Sequence, residues 1–294
     1  MVGQTTALGV PELPEVETVA RLIAPKIVGH AITGTRVTWK RTIGGVSVAR
    51  FAKCVGGARV TKVWRRAKFI VLELERSGKS AGFLVAHLRM TGRMHVEPKQ
   101  WDPGPYVKVS LALDDGCSLH FIDVRKFARL LYTQTLEPLL GDLGPEPLSP
   151  EFSVERLAQD LLHKKRSLKP LLLDQTFVAG LGNIYVDEAL HRASLHPLTR
   201  SNGLRRPQVQ RLHGEIQAVL TAAIEREGSS FDTFYRTPEG RPGSYQDEFQ
   251  VYGRTGKPCR ACQTPIVRIV VGQRGTHYCP RCQPAPRAHR KRCS

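Results

Sequence analysis

The sequence predicts an α+β protein: an N-terminal antiparallel β-sandwich or barrel, a mostly helical second domain, and a C-terminal β-hairpin that carries paired cysteines. Three observations predict it. Apolar residues recur at every second position over about 31–131, the period lengthens to that of a helix from Ser153 onward, and Cys259, Cys262, Cys279 and Cys282 stand in two CxxC pairs. At 294 residues and 41% apolar content the chain is long enough for separate cores, which excludes disorder of the whole. The expected boundaries are 11–140, 150–245 and 246–284, with 1–10 as an extension or mis-assigned start and 285–294 as a basic tail.

The first helix is read from Val16, Val19, Ala20, Ile23 and Ile27, one buried stripe that Pro25 is expected to interrupt. Alternation is clearest at Val107, Val109, Leu111 and Leu113 against Lys108, Ser110, Ala112 and Asp114, and Asp115-Gly116 then turns the chain into a strand over 118–122. Lys68 shares parity with Ile70, Leu72 and Leu74 and is expected to begin the inward side of its strand. The Gly- and Pro-rich stretch 141–150 reads as a linker. Ser153 is a candidate N-cap for a helix over 154–162, and further helices are expected near 169–173, 184–193 and 207–227. The polar stretch 229–243, with two prolines and two glycines, reads as a mobile loop.

Charge narrows the choice of partner. Lys and Arg number 44 against 26 Asp and Glu, a formal net charge of +18, and the last forty residues hold nine of the cations and no acid. Such a field concentrates polyanions, so nucleic acid is the first partner to consider. No apolar run reaches the roughly 18 residues of a membrane span, and the first ten residues lack the basic start and apolar stretch of a signal peptide. The expectation is a cytoplasmic, DNA-associated protein without a membrane partner.

Sixteen residues separate the two CxxC pairs, the spacing of a four-thiolate tetrahedral zinc site on a hairpin formed by 266–271 and 275–278. A redox dithiol would need only one pair. Four protein ligands leave no open position, so the expectation is one structural zinc ion per chain that activates no water.

The block Pro11-Glu12-Leu13-Pro14-Glu15-Val16-Glu17 is similar to the opening of formamidopyrimidine-DNA glycosylases, whose mature chains begin at that proline. Four more blocks follow in that family's order: Arg65-Arg66-Ala67-Lys68, His87-Leu88-Arg89-Met90-Thr91-Gly92, Asp123-Val124-Arg125-Lys126-Phe127 and Gly180-Leu181-Gly182-Asn183-Ile184-Tyr185. The cysteine hairpin is the last. The resemblance covers 11 to about 283. It implies a β-sandwich, a helix-two-turn-helix domain and a zinc finger, acting as a monomer on damaged double-stranded DNA. Leu13 favours the oxidised-purine branch over the endonuclease VIII type, which opens Pro-Glu-Gly-Pro.

The activity it implies is base excision of 8-oxoguanine and formamidopyrimidines, followed by cleavage of the abasic site through β,δ-elimination. Pro11, Glu12, Lys68 and Arg274 are the implied catalytic set. The Pro11 amine attacks the sugar C1′ and becomes an iminium ion, while Glu12 does the acid and base work. His87, Met90, Arg125, Phe127, Lys169 and Asn183 are the implied DNA-binding set. Within it, His87 and Asn183 join Lys68 and Arg274 on the phosphates, Phe127 wedges beside the partner base, Arg125 bonds the orphaned cytosine and Met90 fills the void. The stretch 229–243 corresponds to a lid over the everted base.

Each residue also has a plainer reading. Pro11 and Glu12 can simply open a helix, Lys68 can snorkel at a strand end, and His87, Met90 and Phe127 can be packed in a core. Arg274 can be a solvated turn residue. Two departures from the family matter. Ala128 stands where the family usually has glycine, and ten residues precede Pro11, whose nitrogen inside a chain is an amide without a nucleophilic lone pair. Val10 offers a resolution, because GTG encodes valine internally but can initiate translation as methionine, which is removed before proline. Otherwise Lys68 is the substitute amine, or the chain is a DNA-binding module that cuts nothing.

Overall fold

The computed structural model describes residues 10–230 and 235–286. The residues before Val10, four within the expected lid and most of the expected basic tail lie outside that range. The described chain forms two compact units, one running to Asp142 and including Arg226–Ser244, the other made of Leu143–Glu225 and the chain from Tyr245 on.

The first unit opens with helix α1, Leu13–Ile27, which runs through Pro25 where the pattern led us to expect a break. Proline in the last turn removes one backbone donor. Ile23 and Ile27, both fully buried, hold the turn, and the Val28 N–H closes it on the Ala24 carbonyl at 3.0 Å. Strand β1 (Ile32–Val37), the short β2 (Ile43–Gly44) and helix α2 (Val48–Val55, capped by Ser47) follow. Then come β3 (Arg59–Arg66), β4 (Phe69–Arg76), β5 (Lys79–His87), β6 (Gly92–Pro98), β7 (Val107–Leu113), β8 (Cys117–Asp123), β9 (Arg129–Thr133) and the short α3 (Glu137–Leu140).

These strands make two sheets, ordered β1-β7-β8-β6 and β2-β9-β5-β4-β3, antiparallel except for the β2–β9 pair. Val16, Val19, Ile23 and Ile27 of α1 share one core with Ile70, Leu72, Leu74, Leu84, Val109, Leu111 and Phe121 from both sheets. The expected sandwich is present. Lys68, however, lies outside the strand. With Ala67 (φ 51°) it makes the two-residue turn between β3 and β4, so strand parity does not govern it.

The second unit carries α4 (Val154–His163), α5 (Leu168–Leu172), α6 (Asn183–Arg192) and α7 (Arg206–Glu225), then the hairpin β10 (Val267–Val271) and β11 (Arg274–Tyr278). Ser153 caps α4 by accepting the Arg156 N–H at 3.2 Å, as the sequence predicts. Helix α6 is buried from Ile184 through His191, because α7 and β11 pack against it. Among the described residues no helix is long and apolar enough to cross a membrane.

Residues 226–244 differ from expectation. They follow α7 in the chain and were expected with the helical domain, yet they pack with the first unit. An antiparallel bridge joins Ser229 to Ser244, and Lys26 of α1 pairs with Glu239 at 3.0 Å.

Candidate active site and metal centre

Pro11 is buried directly before α1, and Glu12 is its N-cap residue. Glu12 and Glu15 form a capping box, in which the Glu12 N–H donates to Glu15 Oε2 at 2.9 Å. Glu15, only 2% exposed, accepts with its other oxygen from the Ser229 N–H at 2.8 Å and the Ser229 hydroxyl at 3.3 Å. Gly228 (φ +80°) permits this approach, since a Cβ there would sit 2.9 Å from Glu15. The carboxylate of Glu15 thus ties the start of α1 to the expected lid. Sequence reading missed it, although the Glu-x-x-Glu spacing at a helix start was the available signal.

Two residues further along α1, Glu17 accepts from Arg65 Nε at 2.8 Å. Burial opposes the Glu17 charge, but the guanidiniums of Arg65 and Arg21 outweigh it and hold the carboxyl below its usual range. Arg65 also donates to the Ala67 carbonyl at 3.1 Å, so one ion pair fixes the turn that presents Lys68. His87, paired across the sheet with Phe69, meets that ring edge-on at 4.8 Å. Its Nδ1 accepts the Arg89 N–H at 3.0 Å, which puts the ring proton on Nε2. Burial, reinforced by the charges of Arg89 and Lys68, pushes its pKa down to about 3. His87 is therefore a neutral N–H donor beside a lysine.

The loops bearing Met90 and Arg125 are joined by one carboxylate. Asp123, fully buried, accepts the Thr91 hydroxyl, the Arg125 N–H at 3.1 Å and the Ala128 N–H at 2.7 Å. Phe127 is 47% exposed, which removes it from the core, and Met90 is half-buried. The Arg125 guanidinium lies 4.9 Å from the Phe127 ring centroid, and its Nη1 is buried without a partner among the described residues. Ala128 fits where the family usually has glycine because its φ is negative, and its methyl fills the space over Gly92.

In the second unit Lys169 corrects the expected DNA-binding set. It is fully buried, with Nζ bonded to Asp187 Oδ1 at 2.5 Å and to the Asn183 carbonyl at 3.1 Å, so it has no face to offer a phosphate. The other Asp187 oxygen accepts the His277 N–H of β11 at 2.9 Å. Asn183, at the start of α6, donates through Nδ2 to the Gly275 carbonyl at 3.0 Å, while its Oδ1 is buried without a partner among the described residues. Glu188 accepts the N–H groups of Gln250, Val251 and Tyr252. Neither was singled out by the sequence: Asp187 anchors the hairpin to α6, and Glu188 anchors the 250–252 segment that leads into it. Arg274 is exposed at the start of β11, after a turn whose Gly272 and Gln273 both have positive φ.

The four hairpin sulfurs lie within 4.8 Å of one another, with Cys259–Cys282 at 3.9 Å and Cys262–Cys279 at 3.4 Å. Tetrahedral zinc with bonds of ~2.3 Å needs sulfurs roughly 3.8 Å apart, so the set fits the metal. The Cys282 N–H points at Cys279 Sγ, 3.4 Å away, as a donor to a thiolate. The chain's cofactor is one structural zinc.

Comparison with known proteins agrees along the chain. The N-terminal domain of formamidopyrimidine-DNA glycosylase matches residues 10–130, its H2TH domain 143–235, and the zinc finger found in FPG and IleRS 256–285. The formamidopyrimidine-DNA glycosylase of Symbiobacterium thermophilum is 45% identical over 280 residues, 94% of this chain and 90% of that protein. That of Chloroflexus aggregans is 46% identical over 277 residues, 93% and 98% respectively. The Thermus thermophilus MutM (FPG) crystal structure superposes with a TM-score of 0.83 at 40% identity, covering 94% of this chain and all of that one. A Lactococcus lactis FPG mutant in complex with Fapy-dG-containing DNA gives 0.85 at 35% identity, again over 94% and all of the two chains. Built on the same three domains in the same order, the chain belongs to the formamidopyrimidine-DNA glycosylase family.

Proposed function

We propose that the protein excises oxidised purines, 8-oxoguanine and formamidopyrimidines, from double-stranded DNA and then cleaves the strand at the abasic site, with Pro11 as nucleophile. The observation that carries this reading is the start of α1, where Pro11 adjoins a glutamate held by the Glu15 capping box. The proline nitrogen attacks the sugar C1′, its lone pair forms the new bond, and the base leaves with the electrons of the glycosidic bond. Glu12 takes the proton that the proline nitrogen loses and delivers it to the ring oxygen as the sugar opens. The resulting iminium ion draws electrons from C2′ once a proton is removed there, which expels the 3′ phosphate, and loss of a second proton, from C4′, then expels the 5′ phosphate. Neutral His87, Lys68 and Arg274 hold the phosphates, Arg125 and Phe127 occupy the space beside the partner base, and the zinc hairpin supports Arg274. This chemistry needs a secondary amine, so the reading includes a mature chain that begins at Pro11 and works on DNA in the cytoplasm.

Borohydride trapping tests it. With protein verified to begin at Pro11, a covalent adduct to duplex DNA bearing 8-oxoguanine opposite cytosine is expected, linked at Pro11. Glu12→Gln should bind that duplex without excising the base. A link at Lys68 would overturn the nucleophile, and no adduct at all would leave a DNA-binding module that cuts nothing.

A further inference from the structure

Lys126 sits between Arg125 and Phe127 with φ 61°, a backbone conformation that a side chain with a Cβ adopts only when its surroundings hold it there. The Asp123 carboxylate holds the N–H groups of Arg125 and Ala128, the two shoulders of the loop, but reaches neither Lys126 nor Phe127. What meets Lys126 is Trp39. The ammonium lies 4.3 Å from the indole centroid, well inside cation–π range, and Arg41 approaches the same ring at 5.9 Å. Among the described residues no hydrogen bond or ion pair of the Lys126 side chain accompanies this contact.

The backbone at Trp39 is itself held, on one side by β7. The Thr38 N–H donates to the Lys108 carbonyl at 2.9 Å and its hydroxyl to the Val107 carbonyl at 2.5 Å. The Thr42 N–H then closes a 3₁₀ turn on the Trp39 carbonyl at 3.0 Å. Among the described residues the buried indole Nε1 has no partner, so the side chain is placed by its face rather than by its polar edge.

We infer that Trp39 is a positioning residue for opposite-base recognition: its ring holds the Lys126 ammonium and so fixes the reversed backbone that presents Arg125 and Phe127. The inference rests on the DNA-contacting roles proposed for those two residues. A loop held before DNA arrives keeps for recognition what an unheld loop would lose in ordering. The indole does this without touching a base.

The test uses the full-length protein and two readouts. In the free protein the ε-methylene protons of Lys126 should show an upfield ring-current shift, lost in Trp39→Leu and partly kept in Trp39→Phe. On duplexes with 8-oxoguanine opposite cytosine or adenine, Trp39→Leu should lower the excision preference for the cytosine duplex by about 5-fold, the scale of one cation–π contact. Lys126→Met should do the same, the double variant should fall no further, and Trp39→Phe should restore most of the preference. A merely structural tryptophan would lower the melting temperature and both rates together, leaving the ratio unchanged, and that outcome overturns the inference, as does a wild-type Lys126 without the shift. Lys126→Met and Trp39→Phe keep the question open to measurement if Trp39→Leu folds poorly. Failure of the underlying reading has its own signature: Arg125→Ala would leave the preference intact while the shift persisted, and the recognition role of Trp39 would fall with it.

Discussion

His87 shows how one side chain's charge follows from its packing. Its pKa of about 3 lies below the 6.5 of a free imidazole. Acid therefore favours the unfolded chain, which takes up the proton first. The His87 contribution to stability is intact above about pH 6.5 and declines as the pH falls toward 3. Urea midpoints measured from pH 7 to pH 4 should fall more steeply for the wild type than for His87→Gln. Between pH 6 and 8 the two should show DNA affinities with the same pH slope, because the ring does not change charge there. At this scale the sequence was legible where a metal demands a residue type, as with the four cysteines. It was not legible for Asp123 and Glu188, whose partners are mostly backbone N–H groups that carry no residue identity, while Glu15 left its signal in the Glu-x-x-Glu spacing. Lys169 misled for a related reason. Its place in the DNA-binding set came from the family resemblance alone, and nothing nearby in sequence announces Asp187, eighteen residues on.

At the scale of elements, α6 is the part that decides whether the hairpin stands correctly. Asp187 serves both the Lys169 ammonium and the His277 N–H, each from a different element. Removing it leaves a buried cation alone, a loss of roughly 3–5 kcal/mol. Asp187→Ala should show a deficit of that order in chemical denaturation. Pairing Asp187→Leu with Lys169→Met should recover much of it, because the double change removes both charges. Equal stability of the single and double variants would show that the ion pair is not what holds these elements. The helices of the second unit were legible to within two residues from periodicity and the Ser153 cap, whereas α2 and α3, too short to show a helical period, were not. The run of α1 through Pro25 was not, since the stripe that holds it is a tertiary effect.

Over the whole molecule, the +18 charge sets how binding responds to salt. Each cation that neutralises a phosphate releases counterions, so Lys68→Ala and Arg274→Ala should each lower the slope of log affinity against log salt by about one. Arg125→Ala should leave that slope alone and instead reduce the preference for cytosine opposite the lesion. Anisotropy titrations from 50 to 300 mM salt separate the two, and loss of slope in Arg125→Ala would reassign it to the phosphates. The order of the parts was legible from composition and period. The allegiance of 226–244 was not, because a polar stretch rich in glycine and proline carries no sign of which core it will join.

That allegiance has a consequence for synthesis. Glu15 and Ser229 are 214 residues apart in the chain, yet both belong to the first unit. As the protein leaves the ribosome, its amino-terminal helix appears early but must wait for every helix through α7 before Ser229 emerges to meet Glu15. The start of α1 is made first and completes its packing late. A nascent chain halted after the sandwich therefore carries Pro11 and Glu12 without the contact that Ser229 gives Glu15.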